Sequence, residues 1–224
     1  MARTHLPLPA RKLSEPIMDS RPPKRWMTFI DGENFTLRAQ QLLSSHNWNM
    51  GPAEARGLWK KDTFIWLPQH RGTQALAHGH NHLEQHAIRA YYYTSLVGDD
   101  PAITNVEEKL WDLGFTARVF KRSKNREKSK GVDIALAKDM LSHAFQGHFE
   151  IAVLIAGDGD YSPLVEELKH NGKKVMLAFF SKECGLSDTL RLAADEYTDI
   201  TQYFLNSWKE LNYPLPIVTS APTT

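Results

Sequence analysis

Asp31, Asp133, Asp158 and Asp160 are the residues whose type and position could do chemistry, because each stands at the border of an apolar run. Asp31 follows WMTFI, Asp158 and Asp160 follow EIAVLIAG within AGDGDY, and Asp133 opens the stretch VDIALAKDMLSHAF at its second position. Ligands of open parallel sheets bind beyond the carboxyl ends of the strands, where loops converge at a topological switch point. Three of the acids share that edge by following strands. Asp133 joins them if the loop ahead of its helix leaves a strand on the same side. Four carboxylates brought together repel one another and lose hydration, a cost that protons or cations must offset. Hard oxygen ligands without a thiolate suit Mg2+ or Mn2+, ions that commonly hold phosphate oxygens while keeping several waters. The chemistry expected of such a cluster is metal-assisted displacement at phosphorus.

Each acid also has a plainer reading. Asp31 before Gly32 is a good turn residue, Asp133 a good partner for a helix dipole, and Asp160 a good N-cap. Ser162-Pro163 offers its own N-cap followed by the proline favoured at the first helical position, which is expected to release Asp160 for another task. Gly157 and Gly159 flank Asp158 and are expected to let the backbone turn sharply there. Asn34, three residues after Asp31, is a further candidate at the same edge.

The elements that must position these residues follow an alternation of short apolar runs and amphipathic stretches, which predicts an α/β sandwich of three layers around a mainly parallel central sheet. WMTFI, then HAIRAYYYTSLV (86–97), FTARVF (115–120), EIAVLIAG and KVMLAFF read as strands. Between them, ENFTLRAQQLL and ITNVEEKLWDLG read as helices, the latter closing on Gly114. A helix over GVDIALAKDMLSHAF is expected to bury a stripe of Ile134, Leu136, Ala137, Met140, Leu141 and Ala144. Another starts near Tyr161 and ends at Asn171-Gly172, and a short one spans about 186–194. Residues 1–24, rich in Pro and Arg, read as a flexible arm, 25–207 as the domain and 208–224 as a tail. Residues 44–85 break the rhythm, carry several tryptophans and histidines, and read as an insertion.

Among 224 residues with 42% hydrophobic and 24% charged content, wholesale disorder is excluded. No stretch approaches the ~18 apolar residues of a membrane span, so the expected address is the cytoplasm without membrane contact. The single Cys184 permits no internal disulfide and reads as a small filler. A net charge of +1 argues against a globally basic nucleic-acid binder. One local patch stands out in KRSKNREKSK (121–130), where Lys121, Arg122, Lys124, Arg126, Lys128 and Lys130 outweigh the lone acid Glu127. On composition alone it reads as a solvated loop or as a phosphate-attracting surface.

The strings FIDGENF (29–35), KGVDIALAKDM (130–140) and AGDGDYSPLVEELKHNGKKV (156–175) resemble, in order and spacing, the NYN domain, a PIN-like group with Rossmann-like topology that includes LabA-type proteins. LSDTLRLAADEYTDI (186–200) looks like the last helix and strand of that domain, and the resemblance runs from about Met27 to Ile200. Ala156 stands where the family often has serine. The resemblance implies a Mg2+- or Mn2+-dependent endoribonuclease in which Asp31, Asp133, Asp158 and Asp160 bind metal. Asn34 would orient substrate or a metal-bound water. It implies single-stranded RNA as the partner, tracked by Lys121, Arg122, Lys124, Arg126, Lys128 and Lys130. A homo-oligomer is compatible with it.

Three other functions compete. A non-catalytic RNA-binding or adaptor module would keep the fold and the basic loop. A D-x-D enzyme of metal-bound nucleotides would use AGDGD but leave Asp31 and Asp133 unexplained. A phosphatase with Asp31 as nucleophile lacks the second Asp two residues on, where Glu33 stands. His82 and His86 have the spacing of a helical zinc pair but read more simply as surface residues. Tyr91, Tyr92 and Tyr93 read as packing rather than base-stacking residues. Asp139 lies about 120° around the helix from Asp133 and is expected to point elsewhere.

Overall fold

In chain order the elements are β1 (Trp26–Asp31), α1 (Gly32–Ser45), β2 (Ala87–Leu96), α2 (Asp100–Asp112), β3 (Thr116–Lys121), α3 (Lys130–Phe145), β4 (Ile151–Ile155), α4 (Ser162–His170), β5 (Lys174–Phe179), α5 (Asp188–Ala193), β6 (Glu196–Asp199) and α6 (Thr201–Asn212), with 3-10 turns at Gly159–Tyr161 and Lys182–Cys184. The computed structural model describes residues 24–46, 87–122 and 130–212. The histidines at 70–86 and most of the basic run (123–129) lie outside the described residues.

β1 and β4 are buried at every position, as WMTFI and IAVLI demand, since neither run has a face for water. Such strands require a sheet covered on both sides. The sheet has six strands in the order β3-β2-β1-β4-β5-β6, and every pairing is parallel. This is the doubly wound order, whose direction of winding reverses between β1 and β4. β3 and β6 lie at the edges and are only partly buried. Helices cover both faces. On one, Phe35 of α1 stacks on Phe180 after β5, with centroids 5.0 Å apart, and meets Phe204 of α6 at 6.2 Å. On the other, α3 packs over β1, β2 and β3 and touches α4. Among the described residues no helix is long and apolar enough to cross a membrane.

Gly114, at φ 86°, ends α2 as expected, with the amides of Gly114 and Phe115 returning to Trp111 and Leu110. Two sequence expectations are corrected. The buried stripe of α3 is Val132, Leu136, Met140 and Ala144, at a strict spacing of four, while Ile134 is 68% exposed. The helix meets the sheet along a narrower line than its composition suggests. Gly157 and Gly159 do not adopt positive φ. Gly157 is needed for room: a Cβ there would lie 2.1 Å from the Phe179 ring, so the loop after β4 can settle against β5 only without a side chain.

Candidate active site

β1 delivers Asp31 to the carboxyl edge of the sheet at the switch point beside β4. Its side chain is buried, and Oδ1 accepts from the Asn34 amide at 2.9 Å, capping α1. Gly32 makes this entry achievable. A Cβ on it would lie 2.2 Å from the Tyr92 ring and 2.7 Å from the Tyr93 carbonyl, so α1 starts in contact with β2. The Asn34 side chain in turn accepts from the Gly157 amide at 2.9 Å, tying the loop after β4 to the start of α1. Glu33, also buried, accepts a hydrogen bond from Ser95 at the end of β2.

Tyr161 joins the remote parts. Its hydroxyl lies 3.0 Å from Asp31 Oδ2 and 3.0 Å from Asp133 Oδ1, so two acids on β1 and α3, remote in the chain, share one phenol. A phenol has one proton to give, and two ionised carboxylates on it would leave one acceptor without a hydrogen. Burial raises the Asp31 pKa to about 7; the Asn34 amide opposes that shift, the Asp133 charge adds to it, and the Tyr161 hydroxyl opposes it. The Tyr161 hydroxyl is placed to donate to either carboxyl, and burial holds Asp31 toward its neutral form. Tyr161 itself is held well above the usual phenol range, by burial first and then by the charges of Asp31 and Asp133.

Asp158 and Asp160 occupy a different setting. Asp158 caps the 3-10 turn, its Oδ1 accepting from the Asp160 amide at 3.2 Å, and Asp160 is exposed. Ser162 is not the N-cap expected of it. The intervening 3-10 turn moves the cap to Tyr161 and puts Ser162 and Pro163 in the first turn of α4, where the Ser162 hydroxyl donates back to the Gly159 carbonyl at 2.7 Å. Asp139 does point away from the site, accepting from Tyr93 and from Arg118, each at 3.2 Å. Tyr91, Tyr92 and Tyr93 are all buried. Lys121 and Arg122 close β3 at the same edge of the sheet as Asp31, and Lys121 pairs loosely with Asp100 at 3.5 Å. Lys124, Arg126 and Lys128 lie outside the described residues, as does the side chain of Lys130 at the start of α3.

Asp31 and Asp133 offer oxygen donors of the kind that hard divalent ions take. A buried carboxyl that ionises only around neutrality, next to a second carboxylate, is a site where a cation can replace a proton. Mg2+ accepts one or two carboxylates plus waters and phosphate oxygens and needs no closed protein cage. No three Asp, Glu, His or Cys side chains are grouped closely enough to hold a metal ion among the described residues, so of the four aspartates expected to meet, the hydrogen bonds through Tyr161 join only Asp31 and Asp133.

The NYN domain profile matches residues 25–201. This chain belongs to the NYN domain family. Its PIN-like fold is of the nuclease type, and the match spans β1 through the start of α6. The NYN domain described here is also similar to a crystal structure of a protein of unknown function from Vibrio parahaemolyticus, at 19% identity and a TM-score of 0.54, covering 82% of this chain and 96% of that one. That likeness extends to the fold. No curated protein matches the chain.

Sequence reasoning missed Tyr161 and Glu33. Tyr161 stands in the AGDGDY string, but its link to Asp31 spans 130 positions and has no local signature. Glu33 follows Gly32 at the start of an amphipathic helix, where an acid is ordinary. Its burial was the only available signal, and burial is not local.

Proposed function

We propose that this NYN domain is a Mg2+- or Mn2+-dependent endoribonuclease that hydrolyses phosphodiester bonds of single-stranded RNA beside Asp31 and Asp133. The observation that carries this reading is the buried Asp31 joined through one tyrosine hydroxyl to Asp133 at the sheet's switch point. Asp31 and Asp133 would hold the ion, with Asp158 and Asp160 as outer acids reaching it directly or through water. When bound, such an ion lowers the pKa of a water and stabilises charge developing at phosphorus. The chain's own residues do the positioning. Tyr161 holds the two carboxyls together, and Asn34 fixes the loop that carries Asp158. Lys121, Arg122, Lys124, Arg126, Lys128 and Lys130 would hold the RNA backbone at the edge of the sheet.

The decisive experiment titrates Mn2+ into metal-free protein with end-labelled single-stranded RNA. Internal cleavage is expected for the wild type and a loss of about a thousandfold or more for Asp31→Asn or Asp158→Asn, with both variants folded by circular dichroism. Cleavage that persists under full chelation, or at wild-type rate in Asp31→Asn, would overturn the proposal. A non-catalytic RNA-binding module is the second reading, favoured by Asp158 being engaged in a backbone cap. It predicts RNA binding without metal-dependent products in the same assay.

A further inference from the structure

Tyr91 lies near the middle of β2, and its ring is approached by two arginines. The guanidinium carbon of Arg89 is 5.9 Å from the ring centroid and that of Arg118 is 5.6 Å away. Arg89 also donates to the Tyr91 hydroxyl at 3.2 Å, and His143 Nε2 bonds the same oxygen at 3.0 Å. His143 Nδ1 lies 2.8 Å from His148 Nδ1, so a single hydrogen is shared between the two rings. Among the described residues one acid, Asp139, meets this group, and it serves Arg118 and Tyr93. Arg89 is exposed and has no carboxylate partner among the described residues.

Two guanidinium groups converging on one ring, with Asp139 the one acid against them among the described residues, are an arrangement of mutual repulsion. A polyanion relieves it. The cluster also has a defined relation to the acidic site. In the sheet, Arg118 is level with Tyr93, and Tyr93 is level with Asp31, so Arg118 stands two strand spacings, roughly 10 Å, from the strand carrying Asp31. The basic run that follows Lys121 leaves the same edge strand. α3 connects the two places, carrying Asp133 in its first turn and Asp139 and His143 further along.

We propose that Arg118, Arg89 and His148 form a phosphate-binding track that carries an RNA strand away from the acidic site, across α3 and the exposed edge of β3. The inference rests on RNA being the ligand but not on its hydrolysis. A track of this kind explains why Arg89 is held in place by the Tyr91 hydroxyl rather than by an acid: the guanidinium is fixed while its charge stays available. It also lengthens the strand the domain can grip. Long RNA gains from it, and an RNA too short to leave the acidic site does not.

The test measures binding of a long and a short single-stranded RNA to the full chain in chelator across a salt series, so that cleavage plays no part. Arg89→Gln is expected to weaken binding of the long RNA severalfold and to reduce the slope of log affinity against log salt by about 0.7, the loss of one phosphate contact on a single strand. Binding of the short RNA should not change. Removing Arg118 alone would strand Asp139, so the matched variant is Arg118→Gln with Asp139→Asn, for which the same slope change is expected. An unchanged slope in both variants, with wild-type RNA binding intact, overturns the track while leaving the RNA reading in place. No RNA binding by the wild type overturns both. Arg89-dependent binding without any cleavage on adding Mn2+ supports the track and removes the nuclease.

Discussion

Asp31 and Asp158 follow neighbouring strands of one sheet and belong to the same candidate site, yet their surroundings treat the carboxylate in opposite ways. Asp31 is sealed beneath α1 and Tyr161 and ionises only around pH 7. Asp158 stands in a partly exposed turn, with one oxygen given to a backbone amide. The difference teaches that a cluster of acids need not be uniform. One member is held toward its neutral form by desolvation, while another sits in a partly exposed turn and caps it.

The comparison breaks most sharply on substitution. Asp31→Asn should lower metal-dependent cleavage by about a thousandfold, the several kcal/mol expected of a lost charge-stabilising ligand. The same change should raise the melting temperature of the metal-free protein at pH 8, because an amide replaces a buried acid that resists ionisation. Asp158→Asn should also remove activity but leave stability within about 0.5 kcal/mol, because asparagine caps a turn about as well as aspartate. Equal stability changes in the two variants would erase the contrast.

The pH dependence sharpens it further. A folded-state pKa raised to about 7 means that the native protein binds a proton more tightly than the unfolded chain does. Asp31 therefore stabilises the fold fully below about pH 4, and that contribution is lost as pH rises through about 7, on the order of 4 kcal/mol in all. Chemical denaturation of the metal-free protein between pH 4 and 8 should show the decline, Asp31→Asn should flatten it, and millimolar Mg2+ should restore stability at the upper end.

Smaller effects come from the groups around the pair. Tyr161→Phe should cost about 1–2 kcal/mol of stability, the value of a buried hydrogen bond to an acid, and should raise the Mn2+ concentration needed for half-maximal cleavage. Smallest of all, replacing Lys124, Arg126 and Lys128 by Ala should leave stability unchanged while weakening RNA binding and flattening its salt dependence, read by a filter-binding series.

Much of this architecture was legible in the chain because it depends on local pattern. WMTFI and IAVLI have no polar face, so two central strands and the acids that end them could be read directly. The unread features are those that need two distant segments in register. Tyr161 gains its role only when β4 lies beside β1, and Ile134 turns to solvent only because α3 crosses the sheet along a line of fours. Ser162 is an excellent cap by type, but the preceding residues form a turn of their own and displace it. Tyr91, Arg89 and Arg118 look unrelated until β3 is laid against β2.

The placement of β1 against β4 has a further consequence, for the order of events when the chain is made. Among the described elements β1 leaves the ribosome first, while its neighbour β4 follows more than a hundred residues later. Until then one flank of the strand stays open, and neither Tyr161 nor Gly157 exists to meet Asp31 and Asn34. A growing chain is thus unable to complete this centre piece by piece, and long-range parallel pairing of this sort is intrinsically slow. Competence should appear late and all at once, when most of the domain has already been synthesised.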